Sequence, residues 1–420
     1  MNICMIAYTF YEIDHRVRRY AEALAERGDR VDVMALQRTN EPRVEMINGV
    51  RLFRIQHRSV NEKTKLGYLA KICLFTARAF AFVTRGHLRN PYQLIHVHSI
   101  PDFEVFAAVV PKLTGAKIIL DIHDVVPELY ASKFKSGNKS LGFKMLVSLE
   151  RLSARFADHV IIANHIWQER IEQRSVPKGK CTTLLNFANT RLFQRRAPRC
   201  PRDCCMILYP GSLSYHQGLD LAVSAFAEID NLVPEAQLHI YGSGDQFDNL
   251  RQLIAELGLQ GRVVLSEPVP VEEIIRLMEN AAIGVVPKRK DGFGNEAFST
   301  KIFEFMAMGV PVIAPDTMID RYYFSDAVVR FFSANDANSL AEAMLDLIKH
   351  PEHRRELTAN ASRFVQAYTW EAHKDIYLRL VDDLVKARPH SRQGGHPDSA
   401  ADSFAEEVRQ EKASAVAYED

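Results

Sequence analysis

The run Asn295-Glu-Ala-Phe-Ser-Thr-Lys-Ile-Phe-Glu304 holds the side chains best suited to chemistry. A polar loop meets a helix start at Ser299-Thr300. The unpaired N–H groups of a helix N-terminus bind phosphate, and the helix dipole favours the anion. Ser299 and Thr300 add hydroxyl donors there and Lys301 adds a cation. Glu304 follows about one turn later, where a carboxylate can accept two hydrogen bonds from ribose hydroxyls. Glu296 precedes the helix, where a carboxylate can meet a sugar. Gly309 then ends the helix and Pro311 blocks its continuation. The plain alternative is a capped, buried helix leading into a strand.

Such a loop needs a scaffold that delivers strand ends and helix starts to one place. Short apolar runs alternate with helix-period segments along the chain, which predicts βαβ units and parallel sheets. In the first half strands are expected near 2–7, 31–36, 50–55, 92–98, 117–122, 159–163 and 182–185, with a helix over 17–27 stopped by Gly28. The polar, Pro-containing run from Arg195 to Asp203 reads as a linker. The rhythm then restarts, with strands near 206–209, 237–241, 262–265, 283–286, 310–314 and 328–332. Helices are expected over 219–228, 247–257, 271–279, 301–308, 338–348, 352–367 and 371–386. From Pro389 the chain is poor in apolar residues and rich in turn formers, so 389–420 reads as a tail, with a short helix near 403–412.

Glu296 and Glu304 are separated by seven residues and followed by Met306-Ala-Met-Gly-Val-Pro-Val-Ile-Ala314. This resembles the signature of retaining glycosyltransferases of the GT-B fold, family 4. Tyr209-Pro-Gly-Ser-Leu-Ser-Tyr-His-Gln-Gly-Leu-Asp220 resembles the family's first donor-domain glycine loop, and Tyr241-Gly-Ser-Gly-Asp245 its second. His96-Val-His98 and Asp121-Ile-His-Asp124 resemble its N-domain strand ends, and Tyr368-Thr-Trp-Glu371 the start of its last helix. The likeness covers about residues 1–387, and the pieces occur in the family's order. It implies an α/β fold of two Rossmann-like domains facing across a cleft: an acceptor domain over 1–195, a nucleotide-sugar domain over 196–367 and a helix over 368–388 returning to the N-domain.

The resemblance also implies roles. Glu304 would hold the donor ribose; Ser299, Thr300 and Lys301 the diphosphate; Glu296 the donor sugar; and His123 the sugar from the other side of the cleft. Gly211, Gly242 and Gly244 would let backbone approach the donor. It implies a UDP-sugar as co-substrate, no cofactor, and retention by a route in which a phosphate oxygen helps take the acceptor proton. Two positions depart from the family: its diphosphate Arg and Lys are replaced by Ser212 and Gln217. A departing diphosphate needs cationic stabilisation, so Lys288 or Arg289 is expected to act with Lys301. The loop after the first strand, Tyr8 to Val17, lacks the family's glycines, which makes Asp14, His15 and Arg16 candidate acceptor contacts.

The remaining features bound these readings. The net charge of +1 gives no global field for nucleic acid. The six cysteines do not form a dense disulfide framework, and Cys200-x3-Cys204-Cys205 lacks the partners of a metal site, so none is expected. The N-terminus has no export pattern, which predicts a cytoplasmic protein. From Arg58 to Arg89 seven Lys or Arg face one acid, Glu62, and Lys71, Arg78 and Arg85 recur every seven residues. Leu69, Ile72, Cys73, Thr76, Phe80 and Val83 share another helical face, widened by Leu74, Phe75 and Phe82. Residues 58–90 therefore form a candidate surface for anionic membrane, peripheral on the inner leaflet, which would suit a polyprenyl-linked or saccharide acceptor in cell-surface polysaccharide synthesis. Competing readings are a nucleotide-sugar 2-epimerase of the same architecture and a degenerate transferase acting as a scaffold.

Overall fold

The computed structural model describes residues 1–58, 65–133, 140–190, 192–194 and 205–386. The chain divides into two compact units. The first is built on residues 1–131, 140–186 and 373–386, the second on the described part of 187–372.

The first unit carries eight strands: β1 Asn2–Ala7, β2 Arg30–Gln37, β3 Val44–Ile47, β4 Val50–His57, β5 Leu94–His98, β6 Lys117–Ile122, β7 His159–Ile162 and β8 Cys181–Thr183. Their order is β3-β4-β2-β1-β5-β6-β7-β8. All neighbours are parallel except β3, which pairs antiparallel with β4. Every residue of β1 is buried, as expected for a strand with both sheet faces covered. The helix His15–Glu26 begins two residues earlier than expected because the Asp14 carboxylate caps it, accepting from the backbone N–H of Arg16 and Val17. β3 was not expected. It is joined to β4 by Asn48-Gly49, both at positive φ, as a two-residue hairpin demands.

The second unit holds a six-stranded parallel sheet: β9 Cys205–Pro210, β10 Ala236–Tyr241, β11 Val263–Ser266, β12 Ile283–Val285, β13 Val312–Pro315 and β14 Arg330–Phe332. The order is β11-β10-β9-β12-β13-β14. The order in which strands are added therefore reverses between β9 and β12, the place where such sheets bind ligands at their carboxyl ends. The helices Leu219–Ile229 and Ala337–Lys349 pack together with Val223, Phe226, Leu340 and Met344 buried. Phe303 and Phe305 of the helix Thr300–Ala307 are also buried, each worth roughly 1.5–3 kcal/mol.

One domain boundary and one element differ from expectation. The first unit ends at Asn186, not near 195, because Phe187, Ala188 and Phe193 are buried in the second unit and Phe187 meets the Phe303 ring at 6.3 Å. The last helix, Trp370–Lys386, joins the first unit from His373, with Tyr377 and Val381 buried and Arg27 Nη1 2.8 Å from Asp382 Oδ1. A short helix, Met318–Tyr323, was not expected; Thr317 caps it. The whole of the expected linker, with Cys200, Cys204 and the tail from 389, lies outside the described residues. The helix Lys65–Arg89 buries Ile72, Phe75, Ala79 and Val83, so the apolar face expected to meet lipid is in part the face that packs on the protein.

Candidate active site

A cavity of about 420 Å³ opens in the second unit at the carboxyl ends of β9, β10 and β11. The turn after β9 supplies Pro210, Gly211 and Ser212; the turn after β10 supplies Tyr241, Gly242 and Ser243. Pro268, Val269 and Ile274 form an apolar wall beyond β11. The helix Thr300–Ala307 points its start into this space with Thr300, Lys301 and Glu304. The Ser299 hydroxyl does not cap that helix, which leaves first-turn amides for an anion.

The two glycine turns are zipped together. Gly211 N–H donates to the Tyr241 carbonyl at 2.8 Å, and Leu213 N–H donates to the Ser243 carbonyl at 2.9 Å. A Cβ on Gly242 would lie 1.7 Å from the Gly211 carbonyl oxygen. A Cβ on Gly211 would lie 2.2 Å from Lys301 Cε, so the lysine stem runs across that glycine. Lys301 Nζ sits 5.3 Å from the Tyr209 ring centroid. Burial pushes the Lys301 ammonium down from its ordinary value, with Glu304 opposing. Burial pushes the Glu304 carboxyl up, against Lys301 and a hydrogen bond from Thr300. Each charge is thus retained partly because the other is present.

A second polar cluster lies in the first unit, at the ends of β5 and β6. Arg16 holds Asp121 through Nε (2.9 Å) and Nη2 (2.5 Å), and all but a few per cent of both side chains is buried. Asp121 Oδ2 also lies 3.0 Å from His123 Nε2 and 3.2 Å from His98 Nδ1. His96 Nδ1 meets the Tyr377 hydroxyl at 2.9 Å. His96, His98 and Asp121 are close enough to share a metal ion. The guanidinium already occupies both Asp121 oxygens, so the group is an ion-pair network with its own cation. Burial pushes both His96 and His98 below their ordinary value.

The family model for glycosyl transferases group 1 matches residues 191–364, and that for the glycosyl transferase 4-like domain matches residues 13–186. The chain belongs to the GT-B glycosyltransferases. It is 26% identical over 322 residues to a D-inositol 3-phosphate glycosyltransferase of Acidothermus cellulolyticus, covering 71% of this chain and 69% of that one. In fold it is similar to sucrose-phosphate synthase from Thermosynechococcus elongatus, with a TM-score of 0.76 and 22% identity over 91% of this chain and 99% of that one. Anabaena HepE in complex with UDP superposes with a TM-score of 0.65 and 16% identity, covering 91% and 100%.

Within this glycosyltransferase, Gly211, Ser212, Gly242, Thr300, Lys301 and Glu304 line the cavity together. Ser299 is the residue before the helix. Gly244 is set back: its Cβ would lie 2.3 Å from the Leu213 carbonyl oxygen, so packing of the turns requires the glycine. Gln217 is not at the cavity wall; its Oε1 lies 3.0 Å from the Tyr209 hydroxyl and its Nε2 3.0 Å from His216. Glu296 is buried in the loop before Ser299, also off the wall.

The expected substitute cations are engaged elsewhere. Lys288 is buried, with Nζ 2.8 Å from Asp320 Oδ2 and 2.8 Å from the Ala297 carbonyl. Arg289 pairs with Asp220 and covers the Tyr215 ring, 4.5 Å from its centroid. Lys301 is the one cationic side chain among the cavity-lining residues. Of the candidate acceptor contacts, Arg16 is corrected to the buried partner of Asp121, Asp14 is a helix cap, and His15 is exposed on the helix's first turn. Sequence reading quoted Asp121 only within a strand-end motif and gave it no role, although an acid inside Ile118-Ile-Leu-Asp-Ile122 is buried only when paired. It also passed over the apolar wall, which Glu267-Pro-Val-Pro270 after β11 could have marked.

Proposed function

We propose that this glycosyltransferase transfers a sugar from a UDP-sugar, with retention and without a metal, to a saccharide or polyprenyl-linked acceptor in cell-surface polysaccharide synthesis on the cytoplasmic side. The observation that carries the donor half is the placement of Lys301 and Glu304 within one turn of a helix whose uncapped start opens into the cavity. The first-turn amides and Lys301 take the diphosphate. Glu304 accepts hydrogen bonds from the two ribose hydroxyls. The apolar wall at Pro268, Val269 and Ile274 suits the face of a base. UDP is favoured because HepE, similar in fold, is known in complex with it.

Ser212 and Gln217 stand where the family pattern has two cations, so the burden of the leaving diphosphate falls on Lys301 and the helix dipole. Glu296 and His123 are assigned to the donor sugar. Of the two acceptor classes the lipid-linked one is favoured, because the first unit carries an exposed apolar helix face.

Calorimetry with UDP and GDP, in chelator, tests the reading. UDP is expected to bind more tightly than GDP, and Glu304→Ala to weaken it at least tenfold. Absence of binding by either nucleotide would sink the donor assignment.

A further inference from the structure

The helix Lys65–Arg89 contains no acid, and by length and composition it is apolar enough to cross a membrane. Its inner stripe, Ile72, Phe75, Ala79 and Val83, is buried against β4 and the 3-10 segment Asp102–Ala108, so the helix is fastened along the first unit. Its outward side is nonetheless apolar. Leu69, Leu74, Phe80 and Leu88 are 39–72% exposed, with the small residues Ala70, Ala77 and Ala81 between them. At 100° per residue, the positions from Leu69 through Phe80, Cys73, Leu88 and Ala81 to Leu74 fill an arc of about 140° without a charge. Arg85, Arg78, Lys71 and Arg89 follow along one edge of that arc.

The basic edge borders a cavity of about 510 Å³. Arg30, from the start of β2, reaches it beside Arg85 and Arg89. Among the described residues no acid pairs with these three arginines. Arg51 in the same wall is held by Asp32 at 2.6 Å. An uncharged apolar arc with an unneutralised basic border matches the boundary between acyl chains and anionic headgroups. A soluble protein partner would need acids opposite the arginines and would leave no reason for the arc to be so apolar along its whole length.

We propose that the helix Lys65–Arg89 lies flat on an anionic bilayer, its Leu69–Leu88 arc in the acyl boundary and Arg30, Arg85 and Arg89 around a lipid phosphate. The inference stands independently of the donor reading, since it uses only the first unit. The test is sedimentation of the full chain with vesicles of phosphatidylcholine alone or with one-third phosphatidylglycerol. Recovery with the anionic vesicles is expected to exceed that with the neutral ones at least tenfold. Leu74→Glu/Leu88→Glu and Arg85→Glu/Arg89→Glu should each abolish most of that recovery, with an unchanged melting midpoint. Equal recovery of wild type with both vesicles, no recovery with either, or full recovery of both folded variants would overturn the proposal.

Discussion

Arg16 grips Asp121 through Nε and Nη2, at 2.9 and 2.5 Å, in a place almost closed to solvent. Burial alone would raise the Asp121 carboxyl; Arg16, His123 and His98 outweigh it and hold the group well below the usual carboxylate range. Arg16→Met would leave that carboxylate buried without its cation, which costs about 3–5 kcal/mol. The double variant Arg16→Met/Asp121→Leu is expected to recover most of the loss, because a buried pair exchanged for apolar groups is often neutral. Urea unfolding of the wild type and the two variants checks this. A single variant as stable as wild type would mean the pair is not structural.

The 3-10 segment in the same unit gives an alkaline sensitivity. Burial pushes Asp102 up to about 7, against the hydrogen bond from the Ser99 hydroxyl. Burial alone pushes Glu104 well above its ordinary value, and neither of its buried oxygens has a hydrogen-bond partner. The folded state therefore keeps a proton on Asp102 that the unfolded chain releases near pH ~4. That stabilising difference is complete below about pH 4 and is lost as the pH rises through about 7. Asp102→Asn keeps an acceptor for Ser99 and removes the titration. Its melting midpoint should match wild type at pH 4 and exceed it at pH 8, by the equivalent of roughly 2–4 kcal/mol. Equal midpoints at pH 8 would refute the assignment.

The alternation of apolar runs with helix-period segments was enough to place thirteen of the fourteen strands among the described residues, because those thirteen are parallel and largely buried. The missed strand, β3, has an exposed, alternating pattern at a sheet edge. Its Asn48-Gly49 turn was nonetheless visible as a hairpin signal. Within the site, Thr300, Lys301 and Glu304 were legible because a helix start fixes their geometry locally. The fates of Lys288 and Arg16 were not. Lys288-Arg-Lys290 reads the same whether solvated or paired, and its partner Asp320 arrives on a distant helix. Arg16 and Asp121 lie 105 residues apart, and only the β1-β5-β6 order joins them.

Lys288 is accordingly expected to act on stability before catalysis. Asp320 is fully buried, and Thr317 Oγ1 donates to the same Oδ2 that holds Lys288. Lys288→Met strands that carboxylate and should cost about 3–5 kcal/mol. Lys288→Met/Asp320→Leu should be restored to within about 1–2 kcal/mol of wild type, with nucleotide affinity unchanged. Calorimetry on the folded double variant separates the two roles. A tenfold loss of nucleotide affinity there would return Lys288 to the diphosphate.

Gly242 tests whether the zipped turns shape the nucleotide cavity. A methyl group there would fall 1.7 Å from the Gly211 carbonyl oxygen and 2.9 Å from its carbon, so backbone must move. Gly211 is tied back to Tyr241 at 2.8 Å and lies beneath the Lys301 stem. Displacing it shifts Ser212 and Lys301 together at the cavity wall. Gly242→Ala should therefore lower UDP affinity at least tenfold and cost about 1–3 kcal/mol of stability, the usual range for overpacking. Gly258→Ala is the matched control. At φ +69° it strains the backbone by about 1 kcal/mol, but its Cβ meets nothing within 4 Å. That variant should bind UDP as wild type does. Equal nucleotide affinity in both variants would mean the turn can yield without disturbing Lys301, and the cavity wall would then owe its shape to the helix start alone.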